Sequence, residues 1–295
     1  MSRCYPVALA LTLLFSPSLI AAAPPAWKAG VARVVITPEQ PMWMSGYGGR
    51  DHAAEGKVHD LWAKAVALRD PAGKTVVFVS TDLITVPIKM VKAVMAQVSP
   101  RHGLGRGEVM FTCSHTHCGP AVDDMLSYML AMKEKDWKQV RAYQQVLNAK
   151  LVKLIADALA DLKPASVSVG TGNCPVASNR RAPKGLGPYD HDVPVLGVSS
   201  PDGRQLRAVI FGYACHNTVM SFYRWSGDYA GFAQLYLEGR HPGTVALFFT
   251  GCGADQNPLP RRTVELAHGY GLRLAAAVER VLAEPMRKLE PGLQT

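Results

Sequence analysis

The stretch Val109-Met110-Phe111-Thr112-Cys113-Ser114-His115-Thr116-His117-Cys118-Gly119-Pro120 decides how the chain is read. A strand-like apolar run feeds directly into two histidines separated by one threonine, and a Gly-Pro pair stops the chain behind them. Side chains alternate along extended backbone, so continued extension would place Cys113, His115 and His117 on one face. Two imidazoles at that spacing can share a metal ion. Alternatively one binds while the other moves protons, because imidazole is both a zinc ligand and the side chain that titrates nearest neutrality. An isolated H-x-H is equally well explained by two hydrogen-bonded structural histidines.

Working outward, the same layout recurs. The expected strand Leu206–Phe211 is followed by "GYACHNTVM", which holds His216. "FVSTDL" places Asp82 at the end of an expected strand over Thr75–Ser80. A strand over Thr244–Phe249 leads into "GCGADQNP", where a Gly251-Cys252-Gly253 turn precedes Asp255, Gln256 and Asn257. In "WSGDYAG", Asp228 stands before an expected helix over Ala230–Glu238, as an N-cap or as a metal or substrate ligand. Strands that end together in polar residues build active sites in α/β sheets.

The remaining apolar runs predict strands over Val31–Ile36, Leu61–Leu68, Glu108–Thr112, Ser166–Val169 and Val193–Val198. Segments with helical period predict helices over Val86–Gln97, Trp137–Leu162 and Thr263–Leu282. In Trp137–Leu162, Val140, Leu147, Leu151, Ile155 and Ala158 form one apolar stripe of a core helix. The pattern is α/β: a mixed β-sheet core flanked by helices. Asn179–Asp192 is rich in proline and glycine and reads as a loop that a ligand would order. No boundary divides residues 24–295.

The first 23 residues read as a cleavable leader: Arg3, an apolar run from Val7 to Phe15, and Ala21-Ala22-Ala23 at the cut. The chain is therefore expected to be secreted or periplasmic. Beyond Cys4, the cysteines are Cys113, Cys118, Cys174, Cys215 and Cys252. That odd set allows small buried hydrophobes, a local disulfide or a thiolate ligand. The formal net charge of +9 suits an anionic surface. Its positive residues are scattered, with doublets at Arg180-Arg181 and Arg261-Arg262, and no nucleic-acid module is apparent.

Taken in order, "AGVARVVITP", "SGYGGR", "VVFVSTDL", "SHTHCGP", "SNRR", "CHNTVM", "SGDYAGFAQLYLE" and "FFTGCGADQNP" resemble the N-terminal catalytic domain of the neutral/alkaline non-lysosomal ceramidases. The pieces run from about residue 29 to 275. The resemblance implies a zinc-dependent amidase acting on N-acyl sphingoid (ceramide-like) lipids, with peripheral membrane contact. It implies His115 and His216 as zinc ligands, His117 beside the reaction centre and Arg180 on the reacting carbonyl. A family segment G-D-V-S-P-N carries a functional serine, and here Ala254-Asp255-Gln256-Asn257-Pro258 puts Asn257 in that place. This implies a divergent, bacterial-type branch. The family's glutamate and tyrosine zinc ligands lie downstream of that turn, so the resemblance implies a C-terminally shortened chain in which water, Asp82 or Asp228 completes the shell. Two other readings stand beside it: a metal-dependent esterase or amidase for a smaller substrate, and a lipid- or metal-binding relative without turnover.

Overall fold

A computed structural model describes Met1 and residues 26–124, 127–183 and 186–294. The leader lies outside them except for Met1. The strands are β1 (Trp27–Val35), β2 (Gly56–Lys57), β3 (Trp62–Arg69), β4 (Thr75–Thr81), β5 (Val109–Cys113), β6 (Lys163–Asn173), β7 (Ala177–Asn179), β8 (Asp192–Ser199), β9 (Leu206–Tyr213), β10 (Arg224–Trp225), β11 (Val245–Thr250), β12 (Gln256–Pro258) and β13 (Arg287–Lys288). The helices are α1 (Ile88–His102), α2 (Glu134–Ala160), α3 (Asp228–Arg240) and α4 (Val264–Ala283). The expected α/β architecture is present, with a mixed sheet in the order β11-β9-β8-β6-β1-β3-β4-β5 and β13 paired to β6. The pairs β4–β5 and β9–β11 are parallel; the others in that order are antiparallel.

Alternation along the strands sorts two cores. Ala63, Ala65 and Ala67 of β3 and Val77 and Val79 of β4 share a cluster with Met90, Val94 and Val98 of α1 and Leu147, Leu151 and Ile155 of α2. Val209 and Phe211 of β9 belong to the same apolar set as Leu274 and Val278 of α4. The opposite faces supply the second core: Val66 of β3 joins Val198, Ala208, Ile210 and Leu247. The sheet is thus folded back on itself, with helices outside both halves. Phe78 of β4 meets Phe249 of β11 edge-on at 5.9 Å, and Ser80 Oγ donates to the Phe248 carbonyl. Helices α3 and α4 pack backbone to backbone; a Cβ on Gly271 would lie 2.8 Å from the Tyr229 carbonyl oxygen.

Several boundaries differ from expectation. Glu108 ends a 3-10 turn rather than opening β5. Helix α1 runs past Gln97 to His102, where the left-handed Gly103 closes it by donating to the Ser99 carbonyl. Helix α2 starts a turn early because Asp136 accepts from the Lys133 N–H at 2.9 Å. Lys163 and Pro164 do not merely end that helix; they begin β6, pairing with Ala29 and Lys28 of β1. No described helix is long and apolar enough to cross a membrane.

One buried ion pair spans the two halves. Lys64 on β3 is 2% exposed, and its Nζ donates to Glu238 Oε1 at 2.7 Å and to the Ala246 carbonyl of β11 at 2.8 Å. Glu238, on α3, also accepts from the Ala246 N–H and from Arg33. Removing one partner leaves the other charge buried and unpaired. Glu238→Ala is expected to lower the unfolding free energy by about 3–5 kcal/mol. The double variant Lys64→Met/Glu238→Leu should recover most of that loss, read by urea denaturation.

Candidate metal centre

The parallel pairs set the site. Strands β4 and β5 end side by side, Thr81 opposite Cys113, as do β9 and β11, Tyr213 opposite Thr250. The segments that follow converge. Thr116 and Asn217 form a parallel bridge, and His117 N–H donates to the Asn217 carbonyl at 3.2 Å. The Asn217 amide donates to the Ser114 carbonyl and accepts from Ala230 N–H of α3. The expected extension past Thr112 stops at Cys113, because His115 has φ +58°, a left-handed turn. That turn, not strand alternation, aims the two imidazoles. Cys113 stays out of the cluster.

His115, His117 and His216 each offer a nitrogen, and these atoms lie within 4.8 Å of one another. The ring centroids are 4.8 Å apart for His115–His216, 5.1 Å for His115–His117 and 5.7 Å for His117–His216. Among the described residues this is the one group of three or more histidine, cysteine or acidic side chains so gathered. His115 Nδ1 faces the Ile84 carbonyl at 2.7 Å, and His216 Nδ1 faces the Gly253 carbonyl at 2.7 Å. A carbonyl can only accept, so each ring is a Nδ1–H tautomer with its Nε2 lone pair free. Both nitrogens of His117 are buried without a partner. Burial lowers the pKa of all three, reinforced by neighbouring imidazoles at His117 and His216, and drives His117 to about 3. Three neutral imidazoles with unspent lone pairs fit a transition-metal ion such as zinc.

The other expected residues divide sharply. Arg180 reaches the rim: its N–H donates to the Asp255 carbonyl, and its Nε and Nη2 hold the Ala254 carbonyl at 3.1 and 2.7 Å. Its charge helps depress His115 and His216. Strand β12 pairs antiparallel with β7, Gln256 opposite Asn179, which fixes Arg180 there. Asp82 points away, accepting the Trp62 N–H at 2.9 Å. Asp228 is not the N-cap, which is Gly227. Its fully buried carboxylate accepts from the N–H groups of Val219, Met220 and Tyr229, while burial lifts it to about 6. Asp255 holds the Asn179 amide, and Asn257 accepts from the Thr218 hydroxyl. The Gln256 carbonyl accepts from His216 N–H, and its side-chain oxygen is buried without a partner. Within the expected loop Asn179–Asp192, the Pro188 carbonyl is held by protein groups, accepting from the amides of Asn179 and Gln256. Burial raises the thiols of Cys113 and Cys174 to about 11 and of Cys118 to about 12, which disfavours thiolate ligation. All five described cysteines are free.

Sequence reasoning passed over Tyr47, Arg50 and Asn217. "SGYGGR" holds the first two and "CHNTVM" the third; a Cβ on Gly46 (φ +103°) would lie 2.7 Å from His117 Cβ.

A folded-back α/β domain thus brings three convergent imidazoles together at strand C-termini, a donor set that a metal ion would fit. Residues 27–248 match the family described as neutral/alkaline non-lysosomal ceramidase, N-terminal, and the chain belongs to that family. It is 27% identical to Neutral ceramidase 2 of Arabidopsis thaliana over 229 residues, covering 72% of this chain and 30% of the relative. It is 28% identical to the Neutral ceramidase of Oryza sativa subsp. japonica over 178 residues, covering 59% of this chain and 22% of the relative. The crystal structure of the neutral ceramidase from Pseudomonas aeruginosa superposes with a TM-score of 0.77 at 23% identity, over 90% of this chain and 46% of that one. The chain thus spans less than half the length of these relatives.

The depressed histidines set an acid limit. A histidine near 3 in the folded chain and about 6.5 when unfolded binds its proton only on unfolding, so its contribution is present above pH ~6.5 and is lost as pH falls. Between pH 7 and pH 5 the metal-free chain should lose about 2 kcal/mol from His117 alone. Urea midpoints across that range should flatten in His117→Gln.

Proposed function

We propose that this chain carries the reaction centre of a zinc-dependent amidohydrolase that cleaves the amide bond of N-acyl sphingoid lipids. The observation that carries the reading is the convergence of His115, His117 and His216 in a member of this family. A further relative is a ceramidase complexed with C2, superposing with a TM-score of 0.75 at 22% identity.

In this reading His115 and His216 hold the ion through the nitrogens their backbone carbonyls leave free. When bound there, zinc polarises the amide carbonyl and makes water acidic enough to attack near neutral pH. His117, neutral and unpartnered, accepts a proton at a ring nitrogen and passes it to the leaving amine. Arg180 keeps its backbone anchors while Nη1, without a partner among the described residues, is free to donate to the developing oxyanion. Buried Cys118, with its thiol near 12, is a poor nucleophile.

Exposed Leu186 and Tyr189 follow exposed Arg180 and Arg181 in the same segment, and Tyr128 and Leu259 are further exposed apolar side chains. Apolar tips beside cations suit peripheral contact with an anionic lipid surface. The apolar leader supports export to the periplasm or the medium. One observation favours a second reading, a smaller ester or amide. Asn257 offers a buried amide where the family segment carries serine.

The test is metal content by elemental analysis together with a panel of long-chain ceramide, C2-ceramide and short N-acyl amines. The expected result is about one zinc per chain, abolished in His115→Ala and His216→Ala. In His117→Ala, kcat for ceramide should fall by about 10²–10⁴-fold. Turnover of short amides or esters but not ceramide would establish the second reading. Full activity in metal-free His115→Ala would overturn both.

A further inference from the structure

We propose that Arg50 is the positioning residue of His117, acting through a guanidinium clamped between Tyr47 and Tyr223. The inference rests on reading His117 as the proton-handling group. It starts from an asymmetry among the three histidines. His115 and His216 are each oriented by a short ring hydrogen bond to a backbone carbonyl, whereas the His117 ring makes none of that geometry and has only a weaker approach of the Gly46 backbone. Its orientation therefore comes chiefly from its own backbone and from packing.

Both ends of the His117 peptide unit are held. Its N–H donates to the Asn217 carbonyl at 3.2 Å. Its carbonyl accepts from Arg50 Nη2 at 2.8 Å. Arg50 is 3% exposed and has no carboxylate partner among the described residues. A buried cation without a counter-ion is costly, so it persists only where other groups compensate it. Here Nη1 donates to the Phe222 carbonyl at 3.2 Å, and the guanidinium carbon lies 5.3 Å from the Tyr47 ring and 5.0 Å from the Tyr223 ring. Two aromatic faces and two carbonyls replace the missing carboxylate.

The clamp also sets the packing wall. Tyr47 lies 5.0 Å from the His117 ring, tilted by 56°. Its hydroxyl donates to the Met220 carbonyl at 3.0 Å, and Arg262 Nη1 donates to the hydroxyl at 3.2 Å. Arg50 thus fixes both the main chain under His117 and the aromatic ring against its imidazole. Lysine could supply the charge but not the planar fork that serves two carbonyls and stacks on two rings.

The test uses Arg50→Met and Arg50→Lys, with Tyr223→Leu as a milder variant that keeps the hydrogen bonds of Arg50 and loses those of the Tyr223 hydroxyl to Asp51. The first readout is the His117 ring signal in ¹H–¹⁵N spectra of the metal-free protein, assigned by its loss in His117→Gln. The second is kcat and KM on ceramide at measured zinc content. In Arg50→Met the His117 signal should shift and broaden while those of His115 and His216 hold. Zinc content should be retained, with kcat down about 10- to 100-fold and KM little changed. Arg50→Lys should recover part of the loss. An unperturbed His117 signal in folded Arg50→Met overturns the proposal, whether or not the wild type turns over ceramide. If Arg50→Met does not fold, an unperturbed signal in Tyr223→Leu overturns it instead. A perturbed ring in a protein without amidase activity sustains the positioning role and removes only the reaction assigned to it.

Discussion

The side chain of Asn217 and the peptide bridge beside it are the constraint on which the centre depends. His115 and His117 follow β5, in one half of the folded sheet; His216 follows β9, in the other. Nothing in either half alone fixes their separation. Asn217 is 0% exposed and ties the two segments at two points, its carbonyl to His117 and its amide nitrogen to Ser114, while its amide oxygen anchors them to Ala230 of α3. In a water-free interior each bond is expensive to break, because the group left behind has no solvent to turn to. Asp228 extends the same logic by gathering the N–H groups of Val219 and Met220 behind His216.

The acidic residues near the centre hold protein N–H groups, and backbone carbonyls serve the metal-ready imidazoles. Asp82, Asp228 and Asp255 all spend their carboxylates on N–H groups. The carbonyls of Ile84 and Gly253 then fix the His115 and His216 tautomers. A neutral carbonyl orients an imidazole and raises its pKa too little to offset burial at His115 and His216, whereas a carboxylate would favour the protonated ring more strongly. All three histidines therefore stay deprotonated and available as ligands near neutral pH.

Much of this was legible in the sequence, because strand-end placement follows from hydrophobic runs bounded by turns. The expected runs ending at Ser80, Thr112, Phe211 and Phe249 marked the site, and the strand-then-histidine pattern singled out His115 and His216 as candidates. What alternation could not give was the left-handed turn at His115, which depends on the Asn217 bridge about a hundred residues away. Asp228 had the composition of an N-cap, yet tertiary N–H donors captured its carboxylate and the cap fell to Gly227. The sheet's fold-back was equally hidden, because no local pattern links Lys64 to Glu238 and Ala246, more than 170 residues away. "SGYGGR" was visible as a motif, but no local rule places Tyr47 and Arg50 against His117.

Because each half of the folded sheet contributes to the histidine cluster, an ion that bridges His115 and His216 is also a cross-link. It closes a loop of about a hundred residues, a contact that is entropically costly to form before the two halves have met. The unfolded chain offers no such preformed site, so the affinity of the ion adds to the stability of the closed sandwich, by about 2.7 kcal/mol at a free concentration a hundredfold above Kd. Loading and folding are then one linked equilibrium. The chain would then be held together, in part, by the free metal concentration around it.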